Sequence, residues 1–399
     1  MGYDNLLSPT QVGDLPLKHR VVMSAMTRTR NDPITESPRE LNVLYYTQRT
    51  TDGGLLISEG AAPCPMGRGY IRAPGVYTEA HLEGWKLVTD AVHRKGGFIF
   101  CQLMHAGRVS HSSLLPDNQL PVAPSAVKLD GLVHIKDGAK VPYETPRALE
   151  THELPGVVAE FTNAAKNAIS CGFDGIELHA GNGYLLQEFL AKPTNLRTDQ
   201  YGGSVENRCR FVLEVVDACV EAIGAKKVGI KLQQGVTFSG LLETEEDSLL
   251  QMAYLGPELE KRNLAYVCQS SLNGDPYYKM SKLTKPNFEA DPFRFFRSHY
   301  KGTLMINGGL SPDKAEEYVA DGTADLVAFA VLFLANANLP ALLASGQVLD
   351  LASGWKVQLW YGKNPADDPV GYTDWPLVDA VISTVKSAAT AVKETVVGA

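Results

Sequence analysis

Short apolar runs recur along the chain, and each is followed by a polar loop and then by a segment whose apolar residues have helical spacing. Continuous apolar runs of this length are typical of parallel strands buried on both faces, where the alternation of a half-exposed strand is lost. We predict eight such strands. They cover residues 21–26, 54–60, 97–104, 172–179, 227–233, 264–270, 302–308 and 324–330.

Two segments between these runs carry clear helical patterns. Residues 157–171 have apolar positions at helical spacing, and residues 205–223 do so more strongly. Ser204 precedes the second segment as a plausible N-cap, and Glu206 lies in the first turn, where the helix dipole favours a negative charge.

Eight strands that alternate with helices predict an α/β fold, a (β/α)8 TIM barrel formed by one domain over residues 1–376. A doubly wound sheet is the alternative, but no G-x-G-x-x-G follows the first strand. The proline-rich stretch 105–154 predicts a long decorated loop after the third strand. Residues 377–399 predict a C-terminal helical tail packed on the outside.

The composition excludes several classes of function. A net charge of −8 and a pI near 5.6 argue against nucleic-acid and polybasic membrane partners. No apolar run is long enough to cross a membrane, and no signal peptide is recognisable, so we expect a cytoplasmic protein that binds a small molecule. The six cysteines form no C-x-x-C pair, which favours buried free thiols and no metal site. The sequence gives no indication of an oligomeric state.

Candidate catalytic residues follow the fourth predicted strand, in the segment HAGNGYLLQEFL. Functional residues of such barrels lie at the C-terminal ends of the strands. His179 and Asn182 could both donate hydrogen bonds to a carbonyl oxygen and stabilise an enolate, and Tyr184 could then deliver a proton. The alternative is that these residues satisfy the loop backbone. Lys231 lies inside an apolar strand, where an unpaired charge is costly, so a role in the site is favoured.

Several segments resemble the Old Yellow Enzyme family of flavin-dependent ene-reductases. The resemblance covers roughly residues 5–376 and is carried by GLLISEGAAPC, APGVYTE, FCQLMHAGR, IELHAGNGYLLQEFL and TNLRTDQYGGSVENRCRF. It implies a TIM barrel that binds FMN at the strand ends. It also implies transfer of a hydride from NAD(P)H through FMN to an activated alkene.

The resemblance implies a role for each candidate. His179 and Asn182 match the pair that holds the substrate carbonyl over the flavin, and Tyr184 matches the proton donor. Trp375 matches an aromatic lid position. The residues predicted to bind substrate are His179, Asn182, Trp375, Met104 and His105, and those predicted to bind the cofactor are Thr27, Gly60, Gln102, Lys231 and Gly309.

The sequence departs from the family pattern where the FMN phosphate is expected. Ala328 and Ala330 replace glycines, and Val331 replaces an arginine. Losing a charged hydrogen bond and adding side chains beside a phosphate predict FMN binding weaker by roughly a hundredfold to ten-thousandfold. Gly309 leaves backbone amides available, and Lys314 is a candidate replacement cation.

These departures leave the reaction open between two enzyme classes of small-molecule, specialised metabolism. The favoured hypothesis is a redox-neutral epimerase or isomerase, in which Tyr184 is the acid and His105 a candidate base. The alternative is an ordinary FMN-dependent NAD(P)H ene-reductase acting on an enone or enal. A non-catalytic binding protein is the third possibility.

Overall fold

The computed structural model describes residues 2–135, 138–234, 239–241, 243–271, 289–347, 349–350, 356, 359–362 and 368–375. The predicted helical tail 377–399 lies outside the described residues, as does the predicted domain end at residue 376.

Fourteen strands are described, and eight of them form a closed parallel barrel in the order β3-β4-β5-β10-β11-β12-β13-β14. The strands are β1 (Thr10–Val12), β2 (Leu15–Leu17), β3 (Val21–Met23), β4 (Leu55–Ile57), β5 (Phe98–Leu103), β6 (Val122–Ala123), β7 (Leu132–His134), β8 (Lys140–Pro142), β9 (Arg147–Ala148), β10 (Gly175–Ala180), β11 (Val228–Gln234), β12 (Tyr266–Ser271), β13 (Leu304–Asn307) and β14 (Leu326–Phe329).

Each of the eight predicted runs overlaps one barrel strand, so the predicted (β/α)8 TIM barrel is confirmed and the doubly wound sheet is excluded. The long loop between β5 and the next helix is also confirmed. It carries β6 to β9 as two small two-stranded sheets outside the barrel.

Helices flank the barrel in alternation with its strands. They are α1 (Glu40–Arg49), α2 (Glu79–Arg94), α3 (Leu154–Ser170), α4 (Leu185–Leu190), α5 (Val205–Ile223), α6 (Glu245–Glu260), α7 (Pro292–His299), α8 (Pro312–Ala320), α9 (Val331–Ala335) and α10 (Leu339–Ser345). In the described part of the chain, no helix combines the length and the apolar character needed to cross a membrane.

The two predicted helices are present. α5 has the predicted bounds, and the Ser204 side chain caps it by accepting a hydrogen bond from the Asn207 amide at 3.3 Å. α3 begins at Leu154, three residues earlier than the pattern indicated. Pro155 in its first turn looked like a loop residue, but proline is tolerated there because those amides lack helical partners.

The barrel interior has a packed apolar core towards the N-terminal ends of the strands and a polar layer towards their C-terminal ends. One buried cluster includes Val22, Ile57, Phe100, Tyr266 and Met305, which point inwards from five of the eight barrel strands. A larger cluster joins the outer faces of the strands to the helices. All six cysteines are buried and free, as the sequence predicted.

Candidate active site

Strand alternation determines which side chains reach the barrel interior above its apolar core. Phe100 and Gln102 point inwards from β5, so Met104 follows on the same side, and Glu177 and His179 do so from β10. His179 is the register partner of Lys231 on β11. The interior therefore changes from apolar to polar towards the C-terminal strand ends.

Two adjoining cavities open at this end of the barrel. The first chamber has a volume of about 220 Å³, and its lining contains seven of the predicted site residues: Thr27, Gln102, Met104, His179, Asn182, Tyr184 and Lys231. The second chamber has a volume of about 580 Å³ and contains Gly309. Both chambers share the residues Ala25, Asn182, Lys231, Ala330 and Val331.

His179 is a neutral hydrogen-bonding group in the first chamber. Its side chain is buried, and its Nδ1 atom has no hydrogen-bond partner among the described residues. Burial, followed by the positive charge of Lys231, lowers the pKa of His179 well below its usual value. A neutral imidazole offers one N–H donor and one lone pair, which suits binding of a carbonyl oxygen.

Asn182 lies in a tight turn whose backbone is held by two glutamines. Its φ of 57° is left-handed, and Gly183 next to it also has a positive φ. The Gln233 side chain accepts a hydrogen bond from the Asn182 amide at 2.7 Å, and the Gln187 side chain accepts one from the Gly183 amide at 2.9 Å. These glutamines satisfy the loop backbone, so the Asn182 side chain is left to line both chambers.

Tyr184 is hydrogen-bonded to a second tyrosine that the sequence analysis missed. The hydroxyls of Tyr184 and Tyr70 lie 2.8 Å apart, and both side chains line the first chamber. Burial, followed by the neighbouring Tyr184, raises the pKa of Tyr70 well above its usual value, so Tyr70 keeps its proton. Tyr70 lies in the loop after β4, where the rule of C-terminal strand ends would have indicated it.

Gln102 is fixed at the floor of the first chamber. Its side-chain amide donates to Glu177 at 2.7 Å, and Glu177 also accepts a hydrogen bond from the Tyr266 hydroxyl at 3.0 Å. Burial raises the pKa of Glu177. The hydrogen bond to Glu177 fixes the orientation of the Gln102 side-chain amide in the first chamber.

Lys231 lies between the two chambers and is partly engaged by the protein. Its ammonium group donates to the Asn307 side chain at 3.0 Å and lies 3.5 Å from the Ser24 hydroxyl. Asn307 in turn donates to the Ala328 carbonyl at 2.7 Å, which fixes its orientation.

Three predicted site residues lie outside the chamber linings. Gly60 is buried next to Met104, and an added Cβ would lie 2.8 Å from the Met104 sulfur. Trp375 lines neither chamber, and the aromatic residues from the C-terminal part that line the first chamber are Trp360 and Tyr361. His105 also lines neither chamber, and its ring packs on Phe161 of α3.

His105 belongs to a separate cluster with Cys64 and Glu160, in which His105 and Cys64 are buried and Glu160 is partly buried. Potential ligand atoms of the three residues lie within 4.8 Å of one another, although the sequence had given no sign of a metal site. The Gly107 amide donates to His105 Nδ1 at 3.1 Å, so the remaining proton is assigned to Nε2. Burial lowers the pKa of His105 to about 4. A protonated Nε2 favours a hydrogen-bonded cluster over a metal centre.

The residues present fit a flavin ring better than a flavin phosphate. The first chamber offers Thr27, Gln102 and Lys231 as polar partners for a ring. Among the described residues that line the second chamber, Lys231 is the sole cation and Asp313 the sole anion. Lys314, the candidate replacement, instead donates to Glu317 at 2.6 Å.

A C-terminal segment covers the first chamber and is held by buried arginines. Arg28 donates to the Trp360 carbonyl at 2.8 Å and to the Gly371 carbonyl at 2.7 Å. Asp368, which is 1% exposed, accepts hydrogen bonds from Arg72. These contacts fix Trp360 and Tyr361 over the chamber.

The chain is similar to flavin-dependent reductases over most of its length. The sequence profile of the NADH:flavin oxidoreductase / NADH oxidase family matches residues 5–350. The 12-oxophytodienoate reductase 1 of Oryza sativa subsp. japonica is 38% identical over 376 residues, which cover 94% of each chain. The 12-oxophytodienoate reductase 2 of Arabidopsis thaliana is 36% identical over 376 residues, 94% of this chain and 96% of the relative.

Comparison with solved structures also shows similarity to flavin-dependent reductases over most of the chain. Morphinone reductase in complex with tetrahydroNAD superposes with a TM-score of 0.83 and 42% identity, covering 94% of this chain and 98% of that one. The Old Yellow Enzyme homologue from Zymomonas mobilis has a TM-score of 0.83 and 32% identity, covering 94% of this chain and 99% of that one.

Proposed function

Because the chain belongs to the NADH:flavin oxidoreductase / NADH oxidase family, the Old Yellow Enzyme family, we propose that it is an FMN-dependent NAD(P)H ene-reductase. Its substrate would be a small conjugated enone or enal, and its context specialised metabolism. The observation that carries the proposal is that one chamber brings together His179, Asn182 and Tyr184 beside polar groups suited to a flavin ring.

The chain's own residues would prepare the alkene for reduction. His179 and Asn182 hold the carbonyl oxygen and stabilise the negative charge that develops on it. When FMN is bound, it supplies the hydride that it has taken from NAD(P)H. Tyr184 gives a proton to the carbon next to the carbonyl, and Tyr70 hydrogen-bonds the Tyr184 oxygen as that proton leaves.

Alkene reduction is therefore favoured over the redox-neutral epimerase or isomerase reaction that the sequence had favoured. An epimerase or isomerase needs a base, and the proposed base His105 lies outside the chamber. Among the described residues that line the first chamber there is no carboxylate, and a neutral His179 with a strongly lowered pKa is a poor base. The relatives are also named as reductases.

One observation keeps proton transfer as a second candidate. Ala328, Ala330 and Val331 remove the positive charge and the small residues expected beside the FMN phosphate. If flavin does not bind, the carbonyl-binding pair would still stabilise an enolate that Tyr184 could protonate, and the base that forms the enolate would have to come from outside the described lining of the first chamber.

Flavin loading and turnover separate the two candidates. We would incubate the purified chain with excess FMN, remove unbound flavin and record the visible spectrum. NADPH oxidation would then be followed anaerobically with cyclohexenone as the probe enone, and cyclohexanone would be measured as the product. A flavin-loaded protein that forms cyclohexanone supports the proposal. A colourless protein that catalyses deuterium exchange beside the carbonyl would instead favour proton transfer.

A further inference from the structure

We infer that this chain recognises its flavin by the ring and the ribityl hydroxyls, with little contribution from the phosphate, so that riboflavin binds nearly as tightly as FMN. The inference rests on the proposed function, since it assumes that a flavin occupies the two chambers. It concerns which chemical form of the cofactor the second chamber accepts.

The charge around the second chamber gives little attraction to a phosphate. Lys231 is the sole cation in its described lining, and that ammonium group already hydrogen-bonds Asn307. Asp313, at the start of α8, lines the same chamber and carries the opposite charge. Lys314 is engaged by Glu317 and lies 4.7 Å from the Tyr318 ring centroid, away from the cavity. Among the described charged side chains of this lining, a dianion would thus meet one shared positive charge and one negative charge.

Apolar side chains occupy much of the remaining wall. Ala330 and Val331 line both chambers, and Leu310, Leu332 and Leu349 line the second one. Such groups cannot replace the water that hydrates a phosphate, whereas they tolerate a neutral tail. The wall is therefore better matched to an uncharged end of the ligand.

Neutral hydroxyl groups would find partners near the ring end of the same chamber. Ser270, Asn307 and Gln233 all line it. The Nε2 atom of Gln233 is buried and has no hydrogen-bond partner among the described residues, while its Oε1 atom holds the Asn182 turn. A fixed amide donor with no protein acceptor suits a ribityl hydroxyl, and it gains nothing specific from a terminal phosphate.

Flavin fluorescence titrations of the flavin-free full-length chain test the inference without any activity measurement. We expect the dissociation constants of FMN and riboflavin to agree within about threefold. One charged hydrogen bond to the phosphate would separate them by about tenfold or more. FMN binding more than about tenfold tighter than riboflavin would overturn the inference and leave the proposed function intact. If neither flavin binds, both fail.

Substitutions in the wall sharpen this test. Val331→Arg should tighten FMN binding relative to riboflavin binding by about tenfold to a hundredfold, because it supplies the missing cation. The matched control Val331→Gln adds length without charge and should change the binding of FMN and of riboflavin by the same factor. If Val331→Arg does not fold, Asp313→Asn replaces it and should tighten FMN alone, by about a few-fold. If Val331→Arg had no effect on FMN binding, the inference would be contradicted.

Discussion

The hydroxyl of Tyr70 lies 2.8 Å from the hydroxyl of Tyr184, although 114 positions separate the two residues in the sequence. Tyr184 follows β10, and Tyr70 lies in the loop after β4. The contact therefore joins two strand ends on one side of the barrel mouth. It gives the proposed proton donor a fixed, protonated partner.

Removing each hydroxyl should slow alkene reduction to a different extent. Tyr184→Phe removes the acid itself and should lower kcat by about a hundredfold to ten-thousandfold. Tyr70→Phe removes one neutral hydrogen bond and should lower kcat by about twofold to tenfold. Both changes in kcat are measured from the rate of cyclohexenone reduction by the flavin-loaded protein. Tyr254→Phe, on the outer helix α6, serves as the control and should retain full activity. Equal rates for Tyr184→Phe and the parent would refute the assigned role.

Lys231 should control both flavin binding and the ionisation of His179. Lys231→Met keeps a long side chain and removes the charge, so the pKa of His179 should rise while staying below 6.5 because burial is the larger cause. Flavin should bind about tenfold more weakly. NMR titration of labelled histidine measures the pKa. The control Lys314→Met should change neither quantity, because that lysine pairs with Glu317.

Strand alternation explains much of what the sequence could and could not predict. The eight apolar runs identified the barrel because buried parallel strands need continuous apolar sequence. His105 follows a strand end but lines neither chamber, because alternation from Gln102 and Met104 points its side chain outwards, onto α3.

The sequence carries no comparable signal for polar residues that pair across long distances along the chain. Gln233 supports the Asn182 turn across 51 positions, and Asp368 meets Arg72 across 296. Each of these residues is an ordinary polar residue in its local segment, and closure of the barrel brings the partners together. The sequence likewise did not indicate that Trp360 lines the first chamber, because this loop aromatic is positioned by contacts to the distant Arg28.

Buried histidines should make part of the folding stability depend on pH. His81 is 2% exposed, its Nε2 atom lies 3.2 Å from the Thr35 carbonyl, and burial lowers its pKa to about 4. Between pH 4 and 6.5 the unfolded chain binds a proton at this position and the folded chain does not. The contribution of neutral His81 to the free energy of unfolding is thus complete above pH 6.5. It is lost as the pH falls, at about 1.4 kcal/mol per pH unit.

The pH-dependent contribution of His81 to stability can be isolated by comparison with His81→Gln, which keeps a hydrogen-bond donor for the Thr35 carbonyl and does not titrate. The unfolding free energy of the parent minus that of the variant should rise between pH 4.5 and 6.5 and stay constant above pH 7. Urea unfolding at several pH values measures it. A difference that is constant over the whole range would contradict the lowered pKa.

Two glycines should respond in opposite directions to replacement by alanine. A Cβ at Gly308 would lie 1.8 Å from the Ser271 carbonyl oxygen, so Gly308→Ala must displace the wall of the second chamber. It should cost about 1–3 kcal/mol of stability and weaken flavin binding. Gly156 is a helical residue of α3 with open space around its Cβ position. Gly156→Ala should stabilise by about 0.5–1 kcal/mol and leave flavin binding unchanged. Thermal unfolding and flavin titration measure both effects.

Asp368 should link overall stability to the cover of the first chamber. Its carboxylate is buried between Arg72 and Arg39, while Arg28 and Arg30 bind carbonyls of the same segment. Asp368→Asn leaves the buried Arg72 guanidinium and the partly exposed Arg39 guanidinium without their counter-charge. Removing one partner of a buried pair costs about 3–5 kcal/mol, so the melting temperature should fall markedly.

The segment that Asp368 anchors carries Trp360 and Tyr361 over the chamber, so the surviving folded protein should also have a higher KM for cyclohexenone. Asp52→Asn is the matched control, because Asp52 pairs with Lys18 at the surface and both side chains are more than 60% exposed. An exposed pair contributes about 0–1 kcal/mol, so this variant should behave like the parent. If the two variants were equally stable, the buried arginines would not depend on Asp368, and the cover would have to be held by the carbonyl contacts alone.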